Sequence, residues 1–518
     1  MKSAHKFHLV IIMCLFYFGA ILAQNNGLST SLPRSTPEAE GMSSKEILNF
    51  FDAAAKSNFD FHSIMIVRHG KVVTEAWWAP YRRDLKHTLY SCSKSFTATA
   101  VGFAVQEGKL KLDDKVISFF PEYLPKTVSP YLAELTIKDL LSMTVGMDPD
   151  PSFSLAVTDD NWIKGFFNTP IINKPGTVFL YNSLGTYMAG AIVQKVTGQS
   201  LIEYLKPRLF DPLGIEGMDW EKELLGYNVG GWGLRVKTED MAKFALLFLQ
   251  KGKWNGKQLI SEAWVDEATS MKILQSPTLT DAERSKNDWA QGYCYQMWRS
   301  RHNSYRGDGA YGQLMLVLPE QDAVIAVTAE ISNMQAELDL IWDNLLPAFG
   351  SKEDSNASQA ASALKHKIGE LELKKAMGKS TSPLATSINN TCFKMHQNEL
   401  NLKSIEFEVE GGTIETTLTT DKGKFELNFG AGTWKKGTTK KLGPYLARVK
   451  GYFQGLPSSK VVGTYGWLED NTLQLQLRYI ESPHTETYNC KFNGDKITVE
   501  YAESQNFGNK KTIIEGQK

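Results

Sequence analysis

The chain reads as an α/β domain of the α+β type, an antiparallel sheet flanked by helices with an additional helical region, followed by an all-β, barrel-like C-terminal domain. Three observations predict this. A hairpin-like pair of strands around Arg68-His69-Gly70 has counterparts of the same character near residues 313–329, far along the chain. Between the two sets the apolar spacing is largely helical to about Gln250. Beyond a stretch rich in Ser, Ala, Lys and Asn at 349–390, nearly every segment is a short strand bounded by turn residues.

The elements follow in order. Glu38 to Lys56 has the pattern of an amphipathic helix, with Ser43 or Ser44 as its cap. His62 to Val67 and Lys71 to Trp77 form the hairpin. From Ser91 to about Lys115 the pattern is helical, with Gly108 near the end. Strand character returns at Gly292 to Arg299, Gln313 to Leu318 and Ala323 to Ala329, the last two joined by Pro319-Glu320-Gln321-Asp322. Residues 24–350 are thus one domain, 351–390 a linker with one short helix, and 391–518 the barrel-like unit. In that last unit Ile405, Phe407 and Val409 alternate with Glu406 and Glu408, which gives one buried and one wet face. Every motif of chemical interest precedes the linker, so a chain ending near Gly350 is expected to fold and function alone.

Composition narrows the function. With 518 residues, 42% hydrophobic and 22% charged, the chain has ample core material and is not intrinsically disordered. Lys plus Arg and Asp plus Glu both total 57, and the aromatic residues are spread out, so no nucleic-acid partner is expected. Cys92, Cys294, Cys392 and Cys490 lack the spacing of a zinc site, and neither a metal nor another cofactor is expected.

Residues 1–23 read as a cleavable signal peptide: Lys2 and Lys6 lead into the apolar run Leu9 to Ala23, after which the chain turns polar. About 15 apolar residues fall short of the ~20 that a membrane span needs. An uncleaved anchor is the alternative. Export to a periplasm or beyond is expected, with no membrane span after signal removal. Export permits a Cys392–Cys490 disulfide, but two buried free thiols fit equally, and oligomeric state stays open.

Ser91-Cys92-Ser93-Lys94 lies where the chain enters an apolar helix, so Ser91 and Lys94 share one helical face. A lysine buried there can lose its proton and serve as base for the serine hydroxyl, while free N–H groups at the helix start suit a developing oxyanion. Alone, the motif is equally a capping serine beside a solvated lysine. Its flanks add more: Leu89-Tyr90-Ser91-Cys92-Ser93-Lys94-Ser95-Phe96-Thr97-Ala98, then Leu140-Leu141-Ser142-Met143-Thr144-Val145-Gly146-Met147, then Pro175-Gly176-Thr177-Val178-Phe179-Leu180-Tyr181-Asn182-Ser183. In this order, from about Pro37 to Phe349, they resemble the serine β-lactamase and penicillin-binding protein superfamily, in its class C-like esterase and amidase branch.

The resemblance implies that Ser91 is the acylated nucleophile, Lys94 its base and Tyr181 the phenol that relays a proton to the leaving group. Together with the signal peptide it implies an exported serine hydrolase whose partner is a small ester, amide or peptide substrate. An acylated sensor or catalytically impaired binding protein is the alternative. A phenol beside an ammonium is expected to share its proton with Lys94; read without the motif, Tyr181 is a core aromatic. Two departures from the pattern stand out. Ser183 replaces the usual Asn, its hydroxyl serving in place of the amide. Gly307-Asp308-Gly309-Ala310 replaces the Lys-Thr-Gly or His-x-Gly motif and lacks the basic residue, for which Arg306, Arg301 or His302 are possible substitutes. Gly309 allows close backbone approach and Ala310 N–H is the second oxyanion donor, with Asp308 facing solvent as the alternative. Trp232, in Gly230-Gly231-Trp232-Gly233, lines the cleft wall or packs in the core.

Overall fold

The computed structural model describes residues 31–350, 356–447, 450 and 454–518; the expected signal peptide lies outside them. The central sheet consists of β1 (Asp60–Arg68), β2 (Lys71–Trp77), β3 (Trp298–Ser300), β4 (Ser304–Gly309), β5 (Gln313–Leu318) and β6 (Ala323–Glu330), in the spatial order β2-β1-β6-β5-β4-β3. All its pairs are antiparallel. The early hairpin and the late strands meet at β1 and β6, with Ile66 opposite Ile325.

The central strands are apolar on both faces because both are covered. Met65 and Val67 of β1, Met315 and Val317 of β5 and Val324 and Ala326 of β6 join a core with α2 (Ser93–Gln106), α3 (Ser183–Thr197) and α4 (Thr238–Leu249). The alternate residues Ile64, Ile66, Leu314, Leu316, Ile325 and Val327 join the opposite core with α1 (Ser44–Lys56) and α5 (Met334–Asn344). Helix α1 starts at Ser44 because Ser43 caps it, accepting from the Glu46 N–H; Glu38–Glu40 is a separate 3-10 turn ended by left-handed Gly41.

The stretch Gly292 to Arg299 is not the strand its composition suggests. Gly292 and Gln296 have φ of 114° and 59°, so the continuous strand is confined to Trp298–Ser300, and Tyr293 makes only isolated bridges to Ile273 and Trp298. The kink frees the Gln296 side chain, which donates to the Leu140 and Leu141 carbonyls at 2.9 and 3.0 Å and accepts from Thr186 at 2.7 Å. Between the two domains, α6 (Ala357–Gly369) packs on α1, with Leu364 buried and Lys367 2.8 Å from Asp52. This part of the linker is therefore docked.

Among the described residues, ten further strands form one sheet: β7 (Thr391–Met395), β8 (Leu402–Glu410), β9 (Thr413–Thr420), β10 (Gly423–Ala431), β11 (Lys435–Thr439), β12 (Ser459–Glu469), β13 (Thr472–Tyr479), β14 (Thr485–Asn493), β15 (Lys496–Glu503) and β16 (Lys511–Gln517). A short parallel pairing of Gly430 and Ala431 with Thr464 and Tyr465 joins β10 to β12 and closes the barrel. Cys392 is an exposed free thiol and Cys490 a buried one, which excludes the bridge and makes only one of the two thiols buried.

The barrel is locked onto the first domain. Val462 and Ile480 enter the same core as Trp78 and Leu85; Tyr81 donates to the Ser482 carbonyl at 2.8 Å; the Thr88 N–H donates to the Glu481 carbonyl at 3.0 Å. Arg478, almost wholly buried, reaches Asp60 at 3.4 Å. This packing runs against the expected self-sufficiency of the chain up to Gly350. No helix of the described residues is long and apolar enough to cross a membrane.

Candidate active site

Ser91 sits in the 3-10 turn Tyr90–Cys92 that leads into α2, so Lys94 falls in the first turn of that helix, on the serine's side. Lys94 is 1% exposed. Its Nζ lies 3.1 Å from Ser91 Oγ, 2.9 Å from Ser183 Oγ and 2.5 Å from the Gly231 carbonyl oxygen. Burial brings the ammonium down to about 7, against smaller opposing effects of Asp150 and Cys92. The solvated lysine of the alternative reading is not found.

Tyr181 precedes the α3 cap Asn182, whose side chain accepts from the Gly185 N–H at 2.8 Å and so faces away from the serine. Ser183, the first residue of α3, points back at Lys94 and takes the place expected of an amide. Tyr181 shares a hydrogen bond with Ser91, and its ring centroid is 5.0 Å from Lys94 Nζ. Burial pushes the phenol far above its ordinary value. The expected proton sharing between Tyr181 and Lys94 is thus corrected: the ammonium meets the ring face, and low-dielectric surroundings disfavour the phenolate. Tyr181 stacks on Trp298 at 5.5 Å and 21°, with Tyr293 and Phe179 beside them in one aromatic wall.

Strand β4 passes directly beside the nucleophile's turn. A Cβ on Gly309 would overlap the Leu89 carbonyl oxygen and come within 3.3 Å of the Cys92 nitrogen, so only glycine permits this approach. Ala310 follows it, at the edge of the site. Gly307 faces Ser95, where an added Cβ would lie 3.0 Å from Ser95 Oγ and 2.5 Å from Met315 Cε. Asp308 does not face solvent: it is buried, and its carboxylate accepts from Arg306 Nε at 2.7 Å. Two of the suggested substitute cations, Arg306 and Arg301, are held in ion pairs. Arg306 is fully buried, donates also to the Asp288 carbonyl and Ser300 hydroxyl, and lies 4.5 Å over the Trp289 ring. Arg301 pairs with Asp288 and Asp339, and the His302 ring lies 4.9 Å from Trp342.

Trp232 is 5% exposed and packs on Trp162 at 5.6 Å and Phe153 at 6.2 Å, so it is chiefly core. The contact with Lys94 comes instead from the carbonyl of its neighbour Gly231, which the glycine-rich run did not reveal. Sequence reasoning also missed Asp150, whose carboxyl accepts from Ser152 and whose charge is felt at Lys94. Among the described residues no group of three or more His, Cys, Asp or Glu side chains is arranged to hold a metal ion.

Comparison with known proteins identifies a family. The sequence model of the Beta-lactamase family matches residues 62–346. The chain is 24% identical over 284 residues to the 6-aminohexanoate-dimer hydrolase of Paenarthrobacter ureafaciens, a match covering 51% of this chain and 71% of that one. It is 28% identical over 189 residues to Protein flp of Staphylococcus aureus strain MW2, covering 33% of this chain and 38% of the relative. Among solved structures, the octameric penicillin-binding protein homologue from Pyrococcus abyssi is 16% identical, with a TM-score of 0.47, covering 91% of this chain and 99% of the other.

Proposed function

The chain belongs to the beta-lactamase family and is a hydrolytic enzyme of it; from that premise we propose that it is an exported serine hydrolase acting through an acyl-enzyme on Ser91, with a small ester or amide as substrate. The observation that carries the reading is the buried Lys94, 3.1 Å from Ser91 Oγ and brought down to about 7. A neutral amine has two N–H bonds and one lone pair. With the N–H bonds directed to Gly231 and Ser183, the lone pair faces the Ser91 hydroxyl and takes its proton as Oγ attacks the acyl carbon. The N–H groups of Ser91 and Ala310 stabilise the oxyanion. Tyr181, kept protonated by burial, gives its proton to the leaving alcohol or amine and recovers one from the nucleophile that attacks the Ser91 ester, while Lys94 returns its proton to Ser91 Oγ. Water, or another alcohol or amine, then attacks the Ser91 ester, which releases the acyl group.

The related hydrolase of Paenarthrobacter ureafaciens acts by its name on an aminohexanoate dimer, which supports an amide as readily as an ester. The departures at Ser183 and Gly307 keep one rival in play, a protein that is acylated and does not turn over. Mass spectrometry over time with an activated p-nitrophenyl ester, a D-amino-acid peptide and a β-lactam separates the two. A transient adduct on Ser91 with product release is expected, none in Ser91→Ala, and acylation ~100- to 10,000-fold slower in Tyr181→Phe. A persistent adduct assigns the sensor role, and unchanged hydrolysis in Ser91→Ala overturns the mechanism. Export is supported by the basic and apolar character of residues 1–23, and a mature N-terminus near Gln24 is the expected result of N-terminal sequencing.

A further inference from the structure

The residue on the N-terminal side of the nucleophile is held by the barrel. Tyr90 is 1% exposed and has φ of 47°, a left-handed conformation that a non-glycine residue keeps only where its surroundings impose it. Its hydroxyl lies 2.5 Å from Nε2 of His484, which is fully buried and comes from the turn between β13 and β14. The same hydroxyl meets the backbone of Leu446, and the Tyr445 ring lies 5.3 Å from that of Tyr90. The other face of His484 is tied down too: its Nδ1 is 2.6 Å from Glu330 Oε1, which also accepts from Ser504 Oγ at 2.7 Å. In the tautomer that donates Nδ1–H to the carboxylate, Nε2 is the acceptor of the Tyr90 O–H.

His484 touches the second half of the site as well. Tyr311, directly after Ala310, packs edge-to-face on the His484 ring at 4.8 Å and is itself left-handed, with φ of 67°. One barrel side chain therefore contacts the neighbours of both oxyanion donors, and both neighbours are in conformations that need external support.

We propose that His484 is a positioning residue for acyl transfer: supplied by the C-terminal barrel, it clamps Tyr90 and Tyr311 so that the N–H groups of Ser91 and Ala310 converge on one oxyanion. The proposal rests on the serine-hydrolase reading above. It gives the barrel a part in the chemistry, acting through the backbone at a point 394 positions away in sequence.

The test uses the full chain and an activated ester. In His484→Ala, kcat should fall about 10- to 100-fold with KM little changed, because a misplaced oxyanion hole is felt in the transition state and not in substrate binding. Affinity for a boronic acid, which forms a tetrahedral adduct with the serine, should weaken by a similar factor. His484→Gln, which can place an acceptor near the position of Nε2, should recover part of the loss. Tyr90→Phe removes only the hydrogen bond, leaves the ring in place, and should lower kcat as well. Wild-type kcat and boronic acid affinity in folded His484→Ala, or a loss confined to KM, overturns the proposal. Should His484→Ala fail to fold, an unchanged kcat in Tyr90→Phe does the same. A wild-type protein that is never acylated at Ser91 overturns the hydrolase reading itself, whereas wild-type turnover with unaffected variants removes only the role of His484.

Discussion

Lys94 Nζ stands 3.1 Å from Ser91 Oγ at a point where the lysine is almost completely closed off from solvent. Burial penalises the ammonium, so the neutral amine, the form able to accept a proton, is reached at about pH 7 instead of above 10.

The pH profile follows with a definite sign. Below about 7 Lys94 is protonated and has no lone pair for Ser91; above it the amine is free. The kcat/KM for a neutral activated ester should therefore fall about tenfold per pH unit on the acid side of ~7 and level off above it. Tyr181, pushed far up by burial, adds no break near neutrality. A rate constant that stays flat from pH 5 to 9 is incompatible with Lys94 as base.

Gly309→Ala should cost activity out of proportion to its size. The new methyl group meets the Leu89 carbonyl oxygen and the Cys92 nitrogen, both backbone atoms that cannot rotate aside, so β4 must move off the turn that holds Ser91. A loss of about 100-fold in kcat/KM is expected, together with a lower melting temperature. Ester kinetics and thermal unfolding check it, and a fully active, equally stable variant shows that β4 and the Ser91 turn can separate without loss.

A chain ended after Gly350 should lose both solubility and cooperative unfolding. Removing the barrel uncovers Trp78, Tyr81 and Tyr90 together with the face that Ile480 and Val462 cover. Large exposed apolar patches of this kind drive association. Thermal unfolding and light scattering of the truncated chain provide the measurement; a soluble, cooperatively folding fragment that reacts at Ser91 restores the independent first domain.

Hydrolysis of β-lactams should be weak relative to that of simple esters. The resemblance places a basic residue at the position of Gly307, where this chain has no charged side chain and an added Cβ would press on Ser95 and Met315. The charges of Arg306 and Arg301 are already matched by Asp308, Asp288 and Asp339. Loss of one charged hydrogen bond to a substrate carboxylate corresponds to ~1.5 to 3 kcal/mol, about 10- to 200-fold. Cephalosporin turnover as fast as that of an activated ester contradicts this account.

The sequence determined by itself whatever depends on neighbours a few positions apart. Ser91 and Lys94 are three residues apart on one helical turn, Ser43 caps α1 three residues before Glu46, and Lys71 to Trp77 turns back on His62 to Val67. The alternation of Ile405, Phe407 and Val409 with Glu406 and Glu408 along β8 likewise marked a strand with one buried face. Only the tertiary structure decided what depends on burial and on distant partners. Lys94 is buried because Ser183 and Gly231, from segments far from α2, close over it, and that burial is what suits it to the proposed role of base. Asp308 looked like a surface acid because no local pattern announces Arg306 folded inward over Trp289. The barrel looked separable because β13 and β14 read as ordinary strands, while the turn between them carries His484 to Tyr90. Periodicity and capping are short-range effects written into a few consecutive residues. Desolvation and convergence at a site are set by which remote surfaces pack together, and that information appears once the chain has closed on itself.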